Sequence, residues 1–135
     1  MGFDQYHEPP DELPAETRTF ARLSASLEEE AQAIGWYQQR LAVEPDAEAR
    51  AIMEDAQGEE FKHFSMDLEF LLRRTPRWRA IAKGVLFQDG DIVEHGEAAE
   101  AASEEGGDGD SGDDSGSAGP GDGSLGIGSL KGENQ

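Results

Sequence analysis

A seam of apolar residues that contains one carboxylate constrains the fold of this chain more than any other feature. From about residue 15 to residue 43, the seam positions are spaced alternately by three and four, which is the heptad pattern of packed α-helices. Glu44-Pro45 ends this pattern, and Asp46 is a suitable N-cap for a second helix over about residues 47–74. Because the connection is short, the two helices should be antiparallel neighbours. The seam of the first helix consists of Phe20, Leu23, Leu27, Glu30, Ile34, Tyr37 and Leu41.

A third, shorter helix is predicted after Thr75-Pro76. Threonine is a good N-cap, and proline is favoured at the first helical position. The helix should end near Phe87, since Gln88-Asp89-Gly90-Asp91 has the composition of a turn. No strand pattern of period two precedes the tail. The sequence therefore predicts an all-α fold, an antiparallel two-helix hairpin plus a short third helix.

The composition divides the chain into three regions. Residues 1–96, the expected folded domain, contain 20 acidic and 10 basic residues, whereas residues 97–135 contain 10 acidic residues, one lysine and 11 of the 17 glycines. Within the second part, residues 97–122 have almost no apolar side chains to offset the entropy cost of ordering. We expect them to form a disordered acidic Gly/Ser linker. Apolar residues return in the last region, 123–135, as Leu125, Ile127 and Leu130.

The charge and the residue types exclude several functional classes. A net charge of −19 argues against nucleic-acid binding, because phosphate contacts need lysine and arginine on the contact face. The absence of cysteine excludes disulfides and thiolate metal sites and fits a reducing cytoplasm. The N-terminal residues have neither the basic start nor the apolar core of a secretory signal. No apolar run approaches the roughly 18–20 residues that span a bilayer, so we expect a soluble protein.

Three potential metal ligands should lie at one level of the hairpin. Glu60 and His63 are three residues apart on the second helix, so their side chains point the same way from adjacent turns. In an antiparallel hairpin that turns at about residue 45, position 30 lies opposite position 60. Counting therefore brings Glu30, Glu60 and His63 together. Carboxylates with one imidazole per metal suit iron or manganese, and zinc remains possible.

One chain supplies only half of a di-iron carboxylate site. Such sites in ferritin-like bundles take one Glu from each of two helices and a Glu-x-x-His pair from each of two others. A two-fold dimer would supply four glutamates and two histidines around two metals and would form a ferritin-like four-helix bundle. The geometry therefore favours a dimer.

Several alternatives remain open at this level. Glu-x-x-His occurs often by chance, and Glu30, Glu60 and His63 are also compatible with ordinary polar positions. Asp67 has the position of a residue that orients the His63 imidazole, but also that of a surface aspartate. For Tyr37, two turns from Glu30 on the same seam, packing and a role beside the metal are both open.

The chain resembles the encapsulated ferritin family. The resemblance rests on four motifs and on the C-terminal sequence, and together they span nearly the whole chain. They are His7-Glu8-Pro9, Glu28-Glu29-Glu30 with Gly35-Trp36-Tyr37-Gln38-Gln39-Arg40, Glu59-Glu60-Phe61-Lys62-His63, Leu72-Arg73-Arg74, and DGSLGIGSL from Asp122.

The resemblance implies a ferroxidase, which oxidises Fe²⁺ to Fe³⁺ at a di-iron centre between two subunits. Glu30, Glu60 and His63 match the family's iron ligands. Trp36 and Tyr37 match the aromatic residues beside the centre. Glu29 matches one residue of the family's metal-uptake site, but Gln32 stands where a second uptake carboxylate is expected, and a glutamine ligates iron poorly. Members of the family assemble as rings of dimers.

The C-terminal region is similar to the peptides that dock cargo inside encapsulin nanocompartments. The resemblance implies that residues 123–130 bind the encapsulin shell protein and that the protein resides in the lumen of a cytoplasmic compartment. Iron oxidised at the centre would then be mineralised there. The alternative is a non-catalytic, metal-binding helical cargo or adaptor protein of the compartment. A di-metal oxygenase acting on an organic substrate is disfavoured, because the sequence indicates no sizeable apolar pocket.

Overall fold

The computed structural model describes residues 5–106, and within this range the chain forms four α-helices and no β-strand. The all-α prediction is therefore confirmed. A short 3₁₀ turn at Pro10–Glu12 precedes the first helix. The helices are α1 (Ala15–Val43), α2 (Ala47–Arg74), α3 (Pro76–Val85) and α4 (Ile92–Glu105).

Helices α1 and α2 form the predicted antiparallel hairpin. The Asp46 carboxylate caps α2 by accepting a hydrogen bond from the backbone N–H of Ala49 at 2.8 Å, as the sequence predicts. The Arg50 guanidinium on α2 stabilises the turn by donating hydrogen bonds to the carbonyl oxygens of Leu41 and Glu44. The buried apolar residues of the hairpin are Leu41, Leu71 and Leu72.

Helix α3 begins at Pro76, as predicted, and ends at Val85, slightly before the expected Phe87. The predicted side-chain cap at Thr75 is wrong, because its hydroxyl oxygen accepts no hydrogen bond from the backbone N–H groups of α3. Thr75 is instead the C-cap of α2, and its backbone N–H donates a hydrogen bond to the Leu72 carbonyl oxygen at 3.3 Å. An ion pair between Glu69 and Arg79, at 2.9 Å, links α2 to α3.

A fourth helix, α4, was not predicted, and it corrects the expected start of the disordered linker at residue 97. Asp91 initiates α4 by accepting hydrogen bonds from the backbone N–H groups of Val93 and Glu94, at 2.8 and 3.0 Å. Four alanines between residues 98 and 102 then supply high helix propensity without an apolar seam. The turn before α4 was predicted correctly, and Gly90 in it has a φ of 105°, which favours glycine.

The C-terminal predictions fall largely outside the described part of the chain. Residues 107–122 of the predicted linker and all of the predicted targeting peptide, 123–135, lie beyond residue 106. Between residues 5 and 106, none of the helices is both long enough and apolar enough to cross a membrane.

Candidate metal site

The hairpin brings together the three ligands that the sequence predicts to be neighbours. Glu30 lies on α1, and Glu60 and His63 lie on α2. One ligand atom of each residue lies within 4.8 Å of the other two. Within α2, His63 Nδ1 is 3.7 Å from Glu60 Oε2. A cation placed between the three side chains would have two carboxylate oxygens and one imidazole nitrogen close to it.

Electrostatics make Glu30 a weaker acid than an ordinary carboxyl group when no cation is bound. The pKa of Glu30 is raised from 4.5 to about 7, first because Glu30 shares a hydrogen bond with Glu60 and second because it is partly buried. The negative charges of Glu60 and Asp67 raise this pKa further, while His63 lowers it. Without a metal, Glu30 therefore keeps its proton to a higher pH than an ordinary carboxyl group does. A divalent cation can replace that proton.

The site is open on one side. The Glu60 side chain is 22% exposed, whereas that of His63 is 46% exposed. Phe61, which follows Glu60 in the sequence, is half-exposed, which is costly for a large apolar side chain in water. Three protein donors also leave coordination positions free on any metal that prefers six ligands. The residues present therefore fit an iron site as one half of a larger donor set.

The other predicted site residues lie around the cluster rather than in it. Glu29 is not part of the cluster of possible metal ligands found within residues 5–106, and its side chain is exposed. Trp36 is largely exposed. Tyr37 is partly buried, and its ring lies 5.3 Å from the guanidinium carbon of Arg40, a cation–π contact. Their assigned roles stay predictions.

Two residues near the site were not singled out from the sequence. Glu59 Oε2 lies 4.0 Å from His63 Nε2, on the side of the imidazole away from Glu60. An ion pair with Lys62 lowers the pKa of Glu59 and competes for this carboxylate. The second residue is Gln57, a buried glutamine one turn before Glu60. Its place on the α2 seam was the available signal, because a polar residue at a seam position needs a partner.

Asp67, predicted as a possible partner of the His63 imidazole, acts in the structure through its charge. It is partly buried and contributes to the raised pKa of Glu30. The hydrogen bonds and ion pairs of the described residues include no contact between Asp67 and His63, so an orienting role for Asp67 stays a prediction.

The fold and the site define a ferritin-like helical protein, and comparisons with known proteins give the family. The EncFtn-like family model matches residues 5–89, and the chain belongs to this family. The resemblance stated from the sequence is thereby confirmed. The matched range covers α1, α2 and α3 and ends before α4.

Individual proteins match over most of their length. The "Encapsulated ferritin-like protein" of Rhodospirillum rubrum is 42% identical over 128 residues, which cover 94% of this chain and 88% of the relative. The "Ferritin-like protein" of Thermotoga maritima is 42% identical over 101 residues, 75% of this chain and 89% of the relative. The crystal structure of protein ne0167 from Nitrosomonas europaea matches with a TM-score of 0.64 and 38% identity, covering 67% of this chain and 99% of that one.

Proposed function

We propose that this protein is a ferroxidase that oxidises Fe²⁺ to Fe³⁺ at a di-iron centre formed between two copies of the chain. The observation that carries the proposal is the approach of the Glu30, Glu60 and His63 ligand atoms to within 4.8 Å of one another. Two carboxylates and one imidazole suit iron. Membership of the EncFtn-like family, with relatives named as ferritin-like, supports iron over manganese or zinc.

The role of each side chain follows from its chemistry. Binding of Fe²⁺ displaces the proton of Glu30, and Glu30 and Glu60 then bind the cation as carboxylates. His63 binds through a ring nitrogen in its neutral form. Each Fe²⁺ that becomes Fe³⁺ releases one electron, and O₂ together with protons accepts these electrons. Negative carboxylate ligands stabilise the higher charge of Fe³⁺ relative to that of Fe²⁺.

Dimerisation supplies the missing half of the centre in this proposal. Two copies related by a two-fold axis would place two sets of Glu30, Glu60 and His63 around two irons. The same contact would cover the half-exposed Phe61 and close a four-helix bundle. Trp36 and Tyr37 would lie beside the centre, and Glu29 would attract Fe²⁺ at its mouth. Rings of such dimers are the proposed higher assembly.

We assign the C-terminal region to targeting. Residues 123–130 would bind an encapsulin shell protein, and the acidic linker would tether the folded part in the lumen of the compartment, where the iron is mineralised. The relative from Rhodospirillum rubrum, which is named as encapsulated, supports this assignment. Its match covers 94% of this chain, so it extends into the region beyond residue 106.

Oxygen consumption on addition of Fe²⁺ tests the activity. The variants Glu30→Ala, Glu60→Ala and His63→Ala should each lose rapid oxidation by more than roughly 100-fold, since loss of even an outer partner of a metal ligand costs about 10–100-fold in affinity or activity. Glu28→Ala, which removes an exposed carboxylate from the same acidic run, is the matched control and should retain the wild-type rate. Wild-type rates in all three site variants would exclude the di-iron centre.

The same experiment separates a ferroxidase from the non-catalytic alternative, a metal-binding cargo or adaptor protein. The non-catalytic alternative requires that this half-exposed site binds metal but does not oxidise it. Tight Fe²⁺ binding with no O₂ consumption would therefore identify the adaptor. Native mass measured with and without Fe²⁺ reports the proposed dimer, and His63→Ala should weaken any metal-dependent assembly.

Deletion of residues 123–135 tests the targeting assignment separately. The truncated protein should oxidise Fe²⁺ at the wild-type rate but should no longer co-purify with the shell protein. Encapsulation that persists after this deletion would exclude residues 123–130 as the targeting peptide.

A further inference from the structure

A buried glutamine joins the two helices of the metal-binding hairpin. Gln57 on α2 is 7% exposed and is the buried polar residue of the part of the chain that the structure describes. Its side-chain Nε2 donates one hydrogen bond to the carbonyl oxygen of Ile34, at 3.2 Å, and one to Oε1 of Gln38, at 3.1 Å. Both amide hydrogens are thus used, and both acceptors lie on α1.

A similar hydrogen bond between the two helices lies one heptad nearer the turn. There, the Arg50 guanidinium on α2 donates to the carbonyl of Leu41 on α1. From Arg50 to Gln57 is seven residues along α2, and from Leu41 back to Ile34 is seven residues along α1. The hydrogen bonds of Arg50 and Gln57 therefore specify the same register of the antiparallel helices. Continued by the same spacing, this register places Glu30 next to Glu60 and His63.

The apolar seam alone specifies the register poorly. Seam residues recur every three or four positions, so sliding one helix by a turn replaces one set of apolar contacts with another. Such a slide moves a residue by about 5.4 Å along the helix axis. That distance exceeds the 4.8 Å within which the three ligand atoms lie, so the site would be lost. The short interhelical connection limits sliding at the turn, but it does not set rotation or bending farther along α2.

We propose that Gln57 is a positioning residue, which fixes the register of α2 on α1 and thereby holds Glu60 and His63 opposite Glu30. A directional hydrogen bond can do this, whereas a leucine of similar volume would pack equally well in several registers. The structural part of this inference stands on the hairpin alone. Its consequence for iron oxidation rests on the proposed function.

A distance measurement on the metal-free protein tests the structural part. The chain has no native cysteine, so Glu28→Cys and Ser65→Cys, both at exposed positions, can carry a pair of spin labels on α1 and α2. Doubly labelled chains are diluted with unlabelled chains so that only distances within one chain are observed. We expect one narrow distance in the otherwise wild-type hairpin and a shifted or broadened distribution in Gln57→Leu. An unchanged narrow distance in a folded Gln57→Leu protein would overturn the proposal.

Cobalt binding reports the effect on the site without redox chemistry. Co²⁺ accepts the same nitrogen and oxygen ligands as Fe²⁺, and its visible absorption depends on coordination geometry. Gln57→Leu should bind Co²⁺ at least about 10-fold more weakly, with an altered spectrum, because its ligands are no longer aligned. Its melting temperature should equal or exceed that of the wild type, since a polar seam residue specifies register at a cost in stability. Gln39→Leu, an exposed glutamine on α1, is the matched control and should leave the distance, the spectrum and the affinity unchanged.

The two proposals fail in different ways. A wild-type protein that shows the Gln57-dependent distance but consumes no O₂ with Fe²⁺ would exclude the ferroxidase and leave the positioning role intact. Wild-type Co²⁺ affinity and spectrum in Gln57→Leu would exclude the positioning role even if Fe²⁺ oxidation is confirmed. Equal effects of Gln57→Leu and Gln39→Leu would also exclude it, because the loss would then not depend on the buried hydrogen bonds.

Discussion

The α1–α2 hairpin and the α3–α4 hairpin pack by different means. The first has a long seam with buried leucines and the buried hydrogen bonds of Gln57. The second has no buried residue in either helix. Its helices meet where Gly84 faces Ala99, so closely that a Cβ atom on Gly84 would lie 2.6 Å from the Ala99 Cβ. An ion pair of Arg77 with Glu104, at 3.4 Å, adds a surface contact.

This difference explains why the candidate site lies in the first hairpin. A metal site built from two helices needs a fixed register, and a long seam with directional ties provides one. The second hairpin is shorter, and its tip exposes apolar side chains. The family match ends at residue 89, so it includes α3 but not α4. The exposed residues at the tip are Leu86, Phe87, Ile92 and Val93.

The largest effect on stability is expected from truncation in the core of the first hairpin. Leu71 is 1% exposed, so Leu71→Ala removes buried methyl groups and leaves a cavity. Such changes cost about 2–5 kcal/mol, which is a large fraction of the stability of so small a domain. Denaturant unfolding followed by circular dichroism measures the loss. Val43→Ala, at an exposed position of α1, should change the unfolding free energy by less than about 0.5 kcal/mol.

A smaller and local effect is expected in the second hairpin from Gly84→Ala. The added methyl group would collide with Ala99, and overpacking costs about 1–3 kcal/mol, although alanine has the higher helix propensity. Amide hydrogen exchange should show faster opening of α3 and α4 while Fe²⁺ oxidation is retained. Gly58→Ala in α2, where nothing lies within 4 Å of the new methyl group, should instead stabilise by up to about 1 kcal/mol. Stabilisation by both variants would show that the helices of the second hairpin are not in close contact.

The metal-free first hairpin should differ from the second in how its unfolding free energy depends on pH. The pKa of Glu30 is raised from 4.5 to about 7, so between these values the folded state binds more protons than the unfolded state. The unfolding free energy should therefore fall as the pH rises through this window. Glu30→Gln, which cannot ionise, should flatten this dependence in unfolding experiments with a chelator present. A dependence that is identical in Glu30→Gln would show that another group causes it.

The smallest effect is expected from the two ion pairs of Glu69, of which the pair with Arg79 links the two hairpins. Glu69 on α2 contacts Arg73 and Arg79, each at 2.9 Å, and its side chain is 42% exposed. The two arginines lower the pKa of Glu69, so this contribution to stability is present above pH 4.5 and is lost as the pH falls through the folded-state pKa. Glu69→Gln should reduce the melting temperature less than Gly84→Ala does, because exposed ion pairs contribute little. About 1 M salt should remove most of the difference. An effect that persists in high salt would indicate a packing role for Glu69.

Helices α1 and α2, which the sequence predicted, have a property that the missed helix α4 lacks. Helices α1 and α2 carry a heptad seam and end at strong stop signals, so their bounds and the level of Glu30 opposite Glu60 follow from counting. Helix α4 has alanines and acidic residues but no seam, and in a sequence this composition is hard to distinguish from a solvated linker. Its helix depends on the Asp91 cap and on packing against Gly84. The position of the Asp91 cap and the packing contact with Gly84 both depend on the residue at which α3 ends.

The amino-acid sequence by itself determined the helical class, the turn at Pro45 and the three residues that share one level of the hairpin, because helix periodicity and chain length fix these by local rules. Only the tertiary structure decided that Gln57 is buried between α1 and α2, that α4 forms and packs on α3, and that the proximity of Glu60 raises the pKa of Glu30. These features arise from distances between side chains remote in sequence, which local propensity does not encode. The candidate metal ligands can therefore be located by counting along the helices, whereas the hydrogen bonds of Gln57 can be located only in the packed hairpin.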